Sequence, residues 1–152
     1  MPPPHESDAM TVASKRPEFR NINAFTDLPS YRLPVAGWVS ILHRVSGVLM
    51  FALLPFIIWL FDTSLSSEIS FARFRSAFTS GLWIFPGFLI KLVALALIWA
   101  YLQHFFAGLR HLWMDVSHAA VAQEFGMKTA QAALIASLLL TVVLGAKLFG
   151  LY

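Results

Sequence analysis

The chain opens on a polar stretch and then runs through three long apolar segments, each entered or left by a few polar residues. From Gly47 to Phe61 no side chain carries a charge, an amide or a hydroxyl. Together with the apolar residues before it, this predicts a first membrane span over about 35–61. Pro55 should kink that span, because proline removes one backbone hydrogen bond and crowds the preceding turn. Asp62 to Ser80, serine-rich with Arg73 and Arg75, reads as a loop with room for a short interfacial helix. A second span is predicted over about 82–114, longer than one crossing needs. It carries Lys91 near one end, where lysine can snorkel, and Gln103, His104, Arg110 and His111 near the other. The third span, over about 129–149, contains Ala132, Ala133, Ala136, Ser137 and Gly145, small residues suited to close helix packing. Residues 1–33 form a polar leader with prolines at 2, 3, 4, 17 and 29, expected to be extended and to serve in docking. The fold class is therefore an all-α membrane protein, a leader followed by a three-span anchor domain over 34–152.

Composition agrees with that pattern and narrows the chemistry. With 58% hydrophobic residues, 12% charged residues and a mean hydropathy of +0.69, the chain lies outside the range of soluble domains. Its 152 residues leave no room for a separate soluble catalytic domain, so demanding chemistry needs a cofactor or a partner. The net charge of +3 does not point to nucleic acid, because the basic residues are scattered around apolar segments and form no continuous stripe. Without cysteine the chain cannot ligate an iron–sulfur cluster, form a disulfide or attach a c-type haem, and histidine is the ligand that remains. The leader lacks a basic segment followed by an apolar one, so no cleavable signal is expected and the first apolar helix directs insertion. Lys15, Arg16, Arg20, Arg32, Arg44, Arg110 and Lys128 fall on one side of the predicted spans, against Arg73, Arg75, Lys91 and Lys147 on the other. The excess predicts a cytoplasmic or matrix-side N-terminus.

That topology puts two polar clusters in the same leaflet. The first is Ser40-Ile-Leu-His-Arg-Val-Ser-Gly47, in which Ser40 and Arg44 lie one helical turn apart with His43 and Gly47 on the same broad face. The second runs from His104 to Asp115, and His104, Gly108, His111 and Asp115 follow the helical period along one face. Charged and polar groups at the edge of a bilayer core are functional candidates. A glycine one turn from a histidine lets a flat macrocycle approach the helix, and neutral imidazole is an axial ligand for haem iron. The plainer alternative is a histidine bonded to a neighbouring helix. His104 and His111 lie about 10 Å apart along one helix and cannot clasp both faces of one haem, so a second ligand would come from another subunit. His43, Arg44 and His111 suit haem propionates, with headgroup contact as the alternative reading.

These residues, Ser40-Ile-Leu-His-Arg-Val-Ser-Gly47 preceded by Arg16-Pro17 and followed by His104-x-x-x-Gly108-x-Arg110-His111 and Asp115, closely resemble the cytochrome b membrane-anchor subunits of succinate dehydrogenase, respiratory complex II. The resemblance extends from about Arg16 to the C-terminus and includes the Thr-Ser-Leu-Ser-Ser stretch at 63–67. It implies that the chain forms part of a two-subunit helical bundle around haem b. His104 would be an axial ligand, with the second histidine from a small partner anchor subunit. Ser40 and Arg44 would line a ubiquinone pocket, and His43, Arg44, Gly108 and His111 would contact the haem or its propionates. No catalytic residue is expected in the chain itself, since succinate oxidation lies in a flavoprotein subunit that passes electrons through an iron–sulfur subunit. The implied location is the bacterial inner membrane, with the mitochondrial inner membrane as the alternative. A haem-free structural anchor and a menaquinone-linked fumarate reductase anchor are the competing functions.

Overall fold

The computed structural model describes residues 23, 25–27 and 31–152, so most of the leader, including Lys15, Arg16-Pro17 and Arg20, lies outside the described residues. Within the leader, residues 25–27 form a turn in which the Asp27 amide donates to the Asn23 carbonyl at 2.9 Å. From Leu33 onward the chain forms one compact unit.

That unit consists of α1 (Val35–Ala52), α2 (Leu54–Leu65), α3 (Glu68–Thr79), α4 (Gly87–Val116) and α5 (Gln123–Leu148), with a short 3-10 turn over His118–Val121. Helices α1, α4 and α5 are each long and apolar enough to cross a membrane. Helices suit lipid, because each satisfies its own backbone hydrogen bonds where no water can.

The first apolar run is divided at Leu53, where the backbone leaves helical geometry (φ −92°, ψ 7°) and α2 restarts with Pro55 in its first turn. Proline is tolerated there because a first-turn N–H has no intrahelical partner to lose. The segment expected as a loop from Asp62 to Ser80 is almost wholly helical: α2 continues to Leu65, and α3 fills the rest. Ser67 starts α3 by accepting from the Ser70 amide at 3.1 Å, while the Ser70 hydroxyl accepts from the Ser67 amide at 2.8 Å. This reciprocal cap uses the serines that read as loop composition.

A tight turn then leads into α4. Leu82 and Phe85 exchange backbone hydrogen bonds of 2.8 and 2.9 Å. Gly81 takes a positive φ of 100°, and an added Cβ there would collide with the Phe85 carbonyl. At Gly87 an added Cβ would come within 2.8 Å of the Phe78 and Thr79 carbonyls, so the glycine lets α4 start directly on the end of α3. Because of this turn, α4 begins after the expected start at residue 82. Helix α5 begins at Gln123, earlier than residue 129; its first turns include the polar Gln123, Glu124 and Lys128 and carry a Glu124–Lys128 ion pair of 2.8 Å. Hydropathy marks only the part of a helix that lies in lipid.

Helix α4 is the centre of the bundle, packing against α1, α3 and α5. Its 30 residues extend about 45 Å, against a hydrocarbon core of about 30 Å. The seams are lined by small side chains: Val39, Ala107 and Ala130 are fully buried where α1, α4 and α5 meet. On α5, Gly126, Ala130, Ala133, Ser137 and Gly145 are buried, whereas Ala132 is exposed. Large apolar residues such as Val48, Phe51, Ile58 and Val142 point outward, as lipid-facing positions should.

A buried polar contact crosses the middle of the α4–α5 seam. Ser137 Oγ donates to Gln103 Oε1 at 2.8 Å, and both residues are buried, while Gln103 Nε2 has no partner among the described residues. Ser137→Ala would strand Oε1 as well and should cost about 1 kcal/mol. The expected result is a lower thermal midpoint for the purified protein in detergent. The double change Gln103→Met with Ser137→Ala removes the stranded groups and should recover part of the loss.

Candidate functional site

The two polar clusters meet where α1 crosses α4. On α1, His43, Ser46 and Gly47 are spaced to share a face, and on α4 so are His104, Gly108 and His111. The His43 ring stacks on His104 with centroids 4.0 Å apart and planes 17° from parallel. His111 lies against the other part of the same group, its centroid 5.1 Å from that of His43 at a tilt of 51°. Three imidazoles thus sit side by side between two membrane helices.

His104 is held by backbone as well as by ring stacking. Its Nδ1 lies 3.1 Å from the His43 carbonyl oxygen and 3.3 Å from Ser46 Oγ. A carbonyl can only accept, so this contact requires the proton on Nδ1 and leaves the lone pair on Nε2. Ser46 is fully buried, and its hydroxyl donates to the same His43 carbonyl at 2.8 Å. The ring reaches that carbonyl because position 47 has no side chain, as an added Cβ would lie 3.1 Å from His104 Cε1. Spacing singled out Ser40, His43 and Arg44 on α1 and assigned no role to Ser46. The available signal was its position one turn after His43, beside a glycine.

Gly108 faces α1. The space over it is taken by the His43 ring, and an added Cβ would sit 3.6 Å from His43 Nε2, an ordinary contact. The close approach between glycine and His104 is at Gly47 on the opposite helix.

Ser40 is half-buried and Arg44 exposed, one turn apart at the N-terminal part of α1. Among the described residues neither forms a hydrogen bond or an ion pair. Arg110 belongs to the same sequence cluster as His111 but reaches α5 instead. Its Nε donates to Thr129 Oγ1 at 3.3 Å and its Nη2 to the Gly126 carbonyl at 3.2 Å. This guanidinium closes the corner between α4 and α5. Asp115 is exposed at the end of α4.

The donor set fits an axial contact to a haem iron through His104. Nε2 of His104 is the one ring nitrogen of that residue left without a hydrogen-bond partner among the described residues, and no group of three or more His, Cys, Asp or Glu among them is arranged to hold a metal ion. Farther along the bundle, beginning at Tyr101 one turn before His104, an open cavity of about 550 Å³ is lined by residues of all five helices. Its walls, including Ile57, Phe61 and Ile98, are almost entirely apolar.

Residues 17–144 match the family described as succinate dehydrogenase/fumarate reductase transmembrane subunit. The succinate dehydrogenase cytochrome b556 subunit of Coxiella burnetii is 33% identical over 90 residues, covering 59% of this chain and 67% of that protein. The cytochrome b556 subunit of succinate dehydrogenase from Paracoccus denitrificans is 29% identical over 116 residues, 76% of this chain and 83% of that protein. The cytochrome b560 subunit from Reclinomonas americana is 33% identical over 92 residues, 60% of this chain and 62% of that protein.

Proposed function

The chain belongs to the succinate dehydrogenase/fumarate reductase transmembrane subunit family, and on that premise we propose that it is the cytochrome b membrane anchor of a succinate:quinone oxidoreductase. The observation that carries the reading is the restraint on His104: its Nδ1 is held at 3.1 Å by the His43 carbonyl, which leaves Nε2 as the ligand atom for haem b. The names of the relatives, all cytochrome b subunits of succinate dehydrogenase, support this choice over a fumarate reductase anchor.

In this reading the chain works in the bacterial inner membrane with its N-terminus cytoplasmic, beside a flavoprotein subunit, an iron–sulfur subunit and a second small anchor subunit. Succinate oxidation belongs to the partners, and this chain contributes no catalytic residue to it. When bound, haem b would supply reversible one-electron storage, held between this chain and the small anchor. His104 would hold the iron, and His43, Arg44, Gly108 and His111 would serve its pocket, the cationic groups among them compensating the propionate charge. Ser40 and Arg44 serve the ubiquinone pocket. The Ser40 hydroxyl donates a hydrogen bond to a quinone carbonyl, and the Arg44 guanidinium stabilises negative charge that develops on the quinone oxygens during reduction. Two side chains with no internal partner suit that work, since nothing in the bundle competes for them.

The quinone assignment is tested by Ser40→Ala and Arg44→Ala in the assembled complex. Both should reduce succinate-dependent quinone reduction by about tenfold or more, in line with the loss of a hydrogen bond to a developing charge, while reduction of an artificial dye by the soluble subunits persists. Equal loss of both activities in an intact complex would count against the pocket. The haem assignment is tested by His104→Leu, expected to alter or abolish the α-band of the reduced b-type haem. An unchanged spectrum in purified complex would exclude His104 as ligand. A wild-type complex without an α-band would make the chain a haem-free structural anchor.

A further inference from the structure

We infer that Ser46 and Gly47 are positioning residues for His104, forming a notch in α1 that fixes the tautomer of its ring and tunes the electron donation of Nε2. The inference rests on the haem reading of His104 and extends it to residues that do not touch the haem.

Within an α-helix the carbonyl of residue 43 accepts from the amide of residue 47, and a side chain at 47 normally shields that carbonyl from other helices. Here position 47 is glycine, and its missing Cβ would stand 3.1 Å from His104 Cε1 and 3.4 Å from Nδ1. A side chain there would therefore require the ring to give by a few tenths of an ångström and lengthen its contact with the carbonyl. Ser46 supplies the second half of the notch. Its hydroxyl proton is directed to the His43 carbonyl at 2.8 Å, so the oxygen presents lone pairs toward Nδ1 at 3.3 Å. Both oxygens near Nδ1 thus act on it as acceptors and demand the same tautomer.

Burial makes the arrangement consequential. Ser46 is 0% exposed, so no water can replace its oxygen if the hydroxyl is removed. A hydrogen bond from the distal N–H of a ligating imidazole increases the basicity of the coordinating nitrogen. A more basic ligand favours the oxidised iron, so weakening the bond raises the midpoint potential. The competing explanation is that Ser46 satisfies itself on the preceding turn, as serines in membrane helices do, and has no influence beyond α1.

The two explanations separate in the complete complex by redox titration of the haem α-band, with haem content measured alongside. Ser46→Ala should shift the reduced-to-oxidised ratio about threefold toward the reduced form, or about 30 mV upward at 59 mV per tenfold for a one-electron couple. Ser46→Thr, which keeps the hydroxyl, should return the midpoint toward wild type. Gly47→Ala should shift it in the same direction as Ser46→Ala, or lose haem. A wild-type midpoint in Ser46→Ala with full haem content overturns the inference. Loss of haem from Ser46→Ala that Ser46→Thr restores supports it, whereas loss from both assigns Ser46 to packing alone and overturns it. Failure of the underlying haem reading looks different, since the wild-type complex would then show no b-type α-band or His104→Leu would leave it unchanged.

Discussion

Inside a bilayer an apolar side chain gains little by leaving lipid for a protein seam, so this bundle depends on how closely its backbones can approach. The residues that permit the approach are small and lie on α4 and its neighbours: Ala107 and Ala130 at the three-helix core, and Gly47 facing His104. Close approach also has a chemical result. It brings a side chain of α4 within hydrogen-bonding reach of a backbone carbonyl on α1, a contact that larger side chains would prevent. Packing and the state of the histidine are thus set by the same absence of side-chain volume.

Much of the architecture was legible in the pattern of apolar residues, because a span must be apolar over a length fixed by the bilayer. Pro55 correctly marked a discontinuity, although the helix is divided at Leu53 and restarts, with the proline in the favourable first turn of α2. The pattern was less informative where helices leave lipid. The short helix allowed for between Asp62 and Ser80 is α3, but its serines, which act as reciprocal caps, masked its extent, and the first turns of α5 were hidden by Glu124 and Lys128, which stabilise a helix while lowering its hydropathy. In the site, helical spacing brought His43, His104 and His111 to one place. It did not reveal which glycine met which ring, since that depends on the rotation of α1 against α4, and periodicity describes each helix alone. For the same reason Arg110, adjacent to His111 in sequence, was not recognisable as a tie to α5.

The polar residues of the membrane region differ in whether the chain itself satisfies them. Ser46, Ser137 and Arg110 are engaged across or within the bundle, which is how a polar group becomes tolerable in or near lipid. Ser40 and Arg44 have no such partners among the described residues, and they occur one turn apart on the α1 end nearest the histidines. A hydroxyl and a guanidinium would be inexpensive to replace there by apolar residues if they contributed only to packing. Engagement therefore sorts the two kinds of residue: those bonded internally orient helices and rings, whereas Ser40 and Arg44 leave their donors open among the described residues. His104 belongs to both groups at once, with Nδ1 committed to α1 and Nε2 without a partner among the described residues, so the seam fixes the ring without using up its second nitrogen.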